Sequence, residues 1–81
     1  MTKKIHVEYY AILREQRGKN KETFETTART ARDLYQELGK KYNFSLNISQ
    51  LRLAINDEFC AWDTSLKSGD HIIFLPPVAG G

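Results

Sequence analysis

The sequence predicts a single α+β domain in which one main helix lies across a small mixed sheet. Three stretches indicate this fold. Apolar and polar residues alternate over residues 4–10, apolar residues recur at helical spacing over residues 31–42, and short strand-like runs follow between residues 51 and 75. A length of 81 residues suits one domain and not two. Hydrophobic residues make up 41% and charged residues 27%, which excludes a disordered chain.

The first part of the chain predicts a hairpin that is interrupted by a short helix. Residues 4–10 alternate as a half-buried strand does, with Ile5, Val7 and Tyr9 on one side. Residues 11–16 can form a helical turn, which Gly18 would end. Residues 22–27 are rich in Thr and predict a second strand that pairs with the first.

The main helix is predicted to begin after Thr30, where the period of the apolar residues changes. The side chain of Thr30 can cap the helix, and Asp33 follows three residues later, as in a capping box. Gly39 and the lysines that follow it suit the far end of the helix, where cations complement the helix dipole. The apolar side of this helix consists of Ala31, Leu34, Leu38 and Tyr42, with Tyr35 beside them.

Three short strands are predicted in the second half of the chain. Residues 51–55 form the third strand, Asn56-Asp57 provides the turn, and residues 58–62 form the return strand. Residues 71–75 form the last strand. Because this segment is the most apolar of the five, we expect it to be buried on both faces.

Charge and cysteine content exclude several classes of protein. Twelve basic against ten acidic side chains give a net charge of +2, which is too balanced for a protein that binds nucleic acid through its phosphates. The single cysteine, Cys60, excludes an internal disulfide framework, a zinc cluster and a cysteine-held iron–sulfur cluster, and we expect no metal site.

The last ten residues lack charge but contain Pro76 and Pro77, so no membrane span is expected. With no apolar signal region after the first residues, we expect a cytoplasmic domain.

The last six residues differ from the rest and predict a flexible, extended tail (76–81) on a folded domain (1–75). Pro76 and Pro77 cannot donate to a sheet ladder, so strand pairing should end at them. Val78 and Ala79 are small, and Gly80 and Gly81 have no side chain, so the backbone can enter a narrow channel. The reactive group of such a tail is its terminal carboxylate, which adenylation by ATP would activate. The alternative is a frayed tail with coincidental glycines or a cloning remnant.

The ending of the chain resembles that of a known family. Residues 68–81, which end in Pro-Pro-Val-Ala-Gly-Gly, are similar to the C-terminal signature of the molybdopterin synthase small subunit, a sulfur carrier. Similar segments occur at Tyr9-Tyr10-Ala11, Leu13-Arg14-Glu15 and Ala54-Ile55-Asn56. Because the length and the order of elements also agree from end to end, the resemblance covers the whole chain. Two departures are His71, where the family often has Glu, and Leu75, where an aromatic residue is frequent.

The resemblance implies a β-grasp, ubiquitin-like fold and a role in sulfur transfer. Gly81 would be adenylated by an E1-like activating enzyme with ATP and converted to a thiocarboxylate. The tail would then enter the large subunit of the synthase, within a heterotetramer, and give its sulfur to cyclic pyranopterin monophosphate. The small subunit would hold no permanent cofactor and would not be an enzyme on its own.

A patch of exposed apolar side chains is predicted to contact both protein partners. Tyr10 lies on the polar side of the first strand, and Phe59 and Leu75 could join it near the base of the tail. Arg14 could pair with acidic residues of a partner at the rim. The alternatives are that the apolar side chains complete a small core and that Arg14 forms a local surface ion pair.

The remaining reactive residues are interpreted as structural. Cys60 has no neighbouring base or cation that would favour a thiolate, so we expect a small core or edge residue and not a persulfide carrier. His6 and His71 are interpreted as strand residues, Trp62 is expected to pack over the helix or a turn, and Asp70 to form a turn.

Two other functions remain open from the sequence. The first is a sulfur carrier for thiamin thiazole synthesis or tRNA thiolation, or a relative that modifies proteins. The second is a β-grasp module that binds partners without covalent chemistry and has an inert tail.

Overall fold

Five strands form one mixed sheet in the computed structural model, which describes residues 2–77. Two α-helices and a short 3-10 helix (Ile48–Gln50) connect them. In chain order the strands and α-helices are β1 (Lys3–Tyr9), α1 (Ala11–Arg17), β2 (Lys21–Thr26), α2 (Ala31–Tyr42), β3 (Arg52–Ile55), β4 (Glu58–Phe59) and β5 (His71–Leu75). The predicted α+β class and the order of its elements are confirmed.

The first and last strands lie side by side within the sheet. The strand order is β2-β1-β5-β3-β4, and β1 and β5 are parallel while every other pair is antiparallel. A parallel pair needs a long crossover, which the chain between β1 and β5 provides with α2. Because Tyr9 pairs with Phe74, the end of β5 lies beside the end of β1.

One face of the sheet is covered by α2 and forms the core. Ile5, Val7 and Tyr9 are buried as their alternation predicts. Tyr35 of α2 meets the ring of Phe74 edge-on, with 5.0 Å between the ring centroids. The buried face of α2 comprises Ala31, Leu34, Tyr35 and Leu38.

Helix α2 begins and ends, and helix α1 ends, where the sequence indicates. The Thr30 hydroxyl accepts a hydrogen bond from the amide of Asp33 at 3.2 Å, which confirms the predicted N-cap. At the other end, Asn43 adopts the left-handed conformation with φ 57° and its amide donates to the carbonyl of Gly39. Helix α1 ends at Gly18, where φ is 83°.

The predicted return strand over residues 58–62 is too long. Strand β4 consists of Glu58 and Phe59 alone, after which the chain leaves the sheet. The reason is that Trp62 turns onto the core, where its ring stacks on Phe74 with centroids 5.8 Å apart. Its carbonyl also accepts a hydrogen bond from the amide of Arg32 in the first turn of α2. Trp62 thus packs over the helix as expected.

The prediction that β5 is buried on both faces is wrong. Ile72 and Phe74 are fully buried, but Ile73 and Leu75 are half-buried and His71 is exposed. The strand is central in the sheet, and its second face lies opposite the side that α2 covers.

A partly buried ionic cluster joins β1, α1, β2 and α2. Arg17 binds Glu22 with two hydrogen bonds of 2.8 and 2.7 Å, and the Tyr9 hydroxyl donates to the same carboxylate at 2.6 Å. The Arg17 guanidinium also lies 4.0 Å from the ring centroid of Tyr42. The hydrogen bonds from Arg17 lower the pKa of the Glu22 carboxyl, although burial opposes them. Burial and the Glu22 carboxylate raise the pKa of Tyr9.

We expect Glu22→Gln to lower the free energy of unfolding by about 2 kcal/mol, because it leaves the Arg17 charge without its counterion. Since the pKa of Glu22 is lower in the folded state, its contribution is complete above the ordinary value of 4.5 and is lost as the pH falls through the folded-state pKa. Denaturant unfolding at pH 7 and pH 3 measures the effect, and the difference between the two proteins should be smaller at the lower pH. The control is Glu25→Gln, an exposed carboxylate on the same strand. Equal midpoints for Glu22→Gln and wild type at pH 7 would contradict the prediction.

Candidate functional site

The face of the sheet opposite α2 carries the side chains that alternate with the core residues, and we call it the open face. The register places neighbouring side chains of this face together. His71 lies beside His6, Ile73 lies between Glu8 and Ala54, and Leu75 lies beside Arg52. Its residues on the three inner strands and β4 are Lys4, His6, Glu8, Arg52, Ala54, Phe59, His71, Ile73 and Leu75.

An apolar patch occupies the part of the open face nearest the end of β5, and we define it as Tyr10, Phe59, Ile73 and Leu75. Phe59 is 62% exposed and Tyr10 is 38% exposed. Phe59 pairs with Ala54, which in turn pairs with Ile73, so the patch extends from β4 to β5. The structure therefore brings the three predicted apolar residues to one face, and they do not complete the core. Their contact with partners stays a prediction.

The Glu8 carboxylate joins Tyr10 to His71 on this face. The Tyr10 hydroxyl donates to Glu8 Oε2 at 2.5 Å, and His71 Nε2 lies 3.0 Å from Glu8 Oε1. The hydrogen bond from Tyr10, with a smaller contribution from His71, holds the pKa of Glu8 below its ordinary value, although partial burial opposes it. This network could not be predicted from the sequence, because Glu8 and His71 are 63 positions apart. Their proximity follows only from the parallel register of β1 and β5.

The turn after β3 anchors the beginning of β5. Asn56 and Asp57 both have positive φ, 52° and 70°, a conformation that Asn and Asp tolerate better than most residues. The Asn56 side chain accepts from the amide of His71 and donates to the Asp70 carboxylate, each at 3.0 Å. Asp70 also accepts from the amide of Lys67 at 2.8 Å, which confirms it as a turn residue. These bonds explain why the turn carries Asn56, a role that the sequence analysis did not assign.

Arg14 and Cys60 do not belong to the hydrogen-bond network of Tyr10, Glu8 and His71. Arg14 is exposed on α1, and its side chain forms no ion pair with another residue between 2 and 77, so the alternative of a local ion pair does not hold there. Cys60 is half-buried next to β4, and its amide donates to the carbonyl of Leu53 at 3.0 Å. This half-buried position agrees with the expected small core or edge residue.

The structure describes the first two residues of the tail, Pro76 and Pro77, which form its base. Pro76 is half-buried and Pro77 is exposed, and neither belongs to a strand. The predicted tail residues Val78, Ala79, Gly80 and Gly81 lie outside the described residues.

Two expectations from composition concern metals and membranes. Within residues 2–77, no three His, Cys, Asp or Glu side chains are grouped so that they could hold a metal ion. Over the same range, neither helix has the length and apolar character needed to cross a bilayer.

A helix across one face of a mixed sheet, with parallel first and last strands in the middle, defines a ubiquitin-like β-grasp domain. The profile of the ThiS family matches residues 7–81, and the chain belongs to this family. The sulfur carrier subunit of molybdopterin synthase from Haemophilus influenzae is 32% identical over 80 residues, which is 95% of this chain and 99% of that protein. The predicted kinship with the molybdopterin synthase small subunit is confirmed.

Two solved structures show the same fold. Molybdopterin converting factor subunit 1 from Pyrococcus furiosus superposes with a TM-score of 0.77 at 30% identity, over 94% of this chain and 99% of that one. The complex of subunits 1 and 2 of the molybdopterin-converting factor from Helicobacter pylori gives a TM-score of 0.65 at 29% identity, over 96% and 99% of the two chains.

We expect Tyr10→Phe to raise the pKa of Glu8 toward its ordinary value of 4.5, because the variant removes the strongest hydrogen bond to the carboxylate. Titration of the Glu8 carboxyl carbon by NMR measures the change. The control is Tyr42→Phe, which removes a hydroxyl from α2 on the other face of the sheet. An unchanged pKa of Glu8 in Tyr10→Phe would contradict the prediction.

Proposed function

We propose that this protein is the sulfur carrier subunit of a molybdopterin synthase. An E1-like activating enzyme adenylates the terminal carboxylate of Gly81 with ATP, and a sulfur source converts the adenylate to a thiocarboxylate. The loaded tail then gives its sulfur to cyclic pyranopterin monophosphate within the large subunit. The observation that carries the proposal is the end-to-end match with the Haemophilus influenzae sulfur carrier, together with a family match that reaches Gly81.

The chemistry of the tail explains why activation is needed. A free carboxylate is a poor electrophile, because its negative charge disfavours attack by a sulfur nucleophile. Attack of the Gly81 carboxylate on ATP releases pyrophosphate and gives an acyl adenylate, from which a sulfur nucleophile displaces AMP. The glycines at the end of the tail allow its backbone to enter a channel too narrow for a Cβ atom.

The fold supports this role through the position of the tail's base. Strand β5 is hydrogen-bonded to β1 on one side and to β3 on the other, so the point where the tail leaves the sheet is held on both sides. Pairing stops at Pro76, which has no amide hydrogen to donate. The apolar patch adjoins this point, because Leu75 belongs to it. A partner that binds the patch would therefore receive the tail at a defined starting position.

Carriers for thiamin or tRNA thiolation would be loaded in the same way and would differ in the acceptor. Transfer of sulfur to cyclic pyranopterin monophosphate in the presence of the large subunit distinguishes the proposed pathway from these alternatives. An inert β-grasp module would not be loaded at all.

We expect deletion of Gly81 to lower the rate of thiocarboxylate formation by about 100-fold or more, because the carboxylate then falls short of the nucleotide by one residue, roughly 3.5 Å. Intact mass after incubation with the activating enzyme, ATP and a sulfur source shows whether one oxygen has been replaced by sulfur. Unfolding should be unchanged, since the deletion lies beyond β5.

The control for this experiment is Cys60→Ser, which removes the single cysteine and leaves the tail intact. It should be loaded as the wild type is. Loss of loading in folded Cys60→Ser, with normal loading of the shortened tail, would place the reactive sulfur on Cys60 and contradict the proposal.

We expect Phe59→Ala to weaken binding to the large subunit by about 30-fold, because truncation of an aromatic anchor at an interface costs 2 kcal/mol or more. The denaturant midpoint should hardly change, since 62% of Phe59 is already exposed. Titration calorimetry with the large subunit and unfolding of the free protein measure the two effects. The control is Ile12→Ala, an exposed apolar residue on α1 and not on the sheet. A large loss of stability with unchanged binding would show that Phe59 serves the core.

A further inference from the structure

The guanidinium of Arg52 lies over Phe59, the most exposed aromatic residue of the apolar patch. The guanidinium carbon of Arg52 is 4.1 Å from the centroid of the Phe59 ring. Arg52 is exposed, and its register partner on β5 is Leu75, the last residue before the tail. The cation therefore lies between the exposed aromatic ring and the base of the tail.

The Arg52 charge has no counterion within the part of the chain that the structure describes. Arg17 pairs with Glu22 and Arg32 with Asp63, whereas the Arg52 guanidinium forms neither an ion pair nor a hydrogen bond with a residue in this part. The acidic residue of β4 does not reach it. Glu58 pairs with Ile55, whose side chain faces the core, so Glu58 is directed to the opposite face from Arg52.

The contact with Phe59 orders the guanidinium without using its hydrogen-bond donors. A cation above a ring interacts with the π electrons, and the five N–H groups remain free for an acceptor. The planar fork is then preorganised, so less side-chain entropy is lost when it binds a partner. Phe59 and Arg52 thus form one unit with an apolar part and a charged part.

Docking of another protein on the apolar patch would remove water from this guanidinium. A desolvated charge is unfavourable unless the partner supplies an acceptor of opposite charge. A carboxylate matches the guanidinium fork with two parallel hydrogen bonds, and a neutral acceptor does so less strongly. The cation–π contact also becomes stronger when water is excluded. A fitting partner surface therefore presents an Asp or Glu side chain among apolar residues.

We propose that Arg52, held over Phe59, binds a carboxylate of the large synthase subunit and so fixes the position from which the tail starts. This inference rests on the proposed function. Arg52 would be a positioning residue, since it acts through the placement of the tail and not on the reacting sulfur. Arg52 is the register partner of Leu75, so a partner that holds Arg52 also fixes the strand position next to the base of the tail.

The test measures binding of the full-length protein to the purified large subunit of the same organism's molybdopterin synthase at several salt concentrations. Arg52→Ala and Arg52→Met should each weaken binding by about 30-fold or more, because the partner carboxylate is then buried without its counterion. Arg52→Lys should retain part of the affinity, since it keeps the charge and loses the bidentate geometry. Arg52→Glu should bind worst of all, because like charges then face each other.

The dependence of affinity on salt separates an ion pair from simple packing. Binding of wild type should weaken as salt is added, and this dependence should be smaller in Arg52→Met, whose side chain covers Phe59 without a charge. The matched control is Arg29→Ala, which removes the same charge from the loop before α2. It should bind within about twofold of wild type, as expected for a charge outside the interface. Denaturant midpoints of all variants show that they are folded.

Wild-type affinity and salt dependence in folded Arg52→Met would overturn the inference, and the proposed function would stand because the wild-type protein still binds the large subunit. Wild-type affinity in Arg52→Glu would overturn it in the same way. Failure of the wild-type protein itself to bind the large subunit would overturn both the inference and the proposed function.

Discussion

The parallel pairing of β1 with β5 is the constraint on which the rest of the structure depends. It joins the two ends of the chain in the middle of the sheet and sets Tyr9 opposite Phe74. As a result, the chain leaves β1 toward α1 at the same edge where it leaves β5 toward the tail. Tyr10 and the base of the tail are neighbours for this reason, although Tyr10 and Leu75 are 65 positions apart in the sequence. The same register brings His71 within hydrogen-bonding distance of Glu8.

The second constraint is that α2 covers one face of the sheet and leaves the other open. Burial on the covered face stabilises the fold. The buried residues there are apolar apart from Thr26, and the partly buried Arg17–Glu22 cluster lies at the margin. The open face carries residues that contribute little to that core, such as Phe59 at 62% exposure. Exposed aromatic side chains of this kind are a common mark of protein interfaces. Under the proposed function, stability and recognition would therefore belong to opposite faces of one sheet.

The features that the sequence predicts well are those determined by near neighbours along the chain. The alternation of Ile5, Val7 and Tyr9 identifies the buried side of β1, and Thr30 marks the start of α2. Contacts that depend on the register between distant strands were not predictable in this way. Arg52 over Phe59 and Glu8 beside His71 belong to this group. The early end of β4 has the same origin, because the chain leaves the sheet to place Trp62 on Phe74.

Two adjacent tyrosines show how finely the two faces are separated. Tyr9 is buried and donates its hydroxyl to Glu22, within the cluster that joins β1 to α1 and β2. Tyr10 is exposed and donates to Glu8 on the open face. Each hydroxyl helps keep its carboxylate charged, since both carboxyl pKa values lie below the ordinary value. The difference is that Glu22 already has a full counterion in Arg17. On the open face His71 takes the place of Arg17, with its Nε2 atom 3.0 Å from Oε1 of Glu8, so a ring nitrogen and not a guanidinium lies beside this carboxylate.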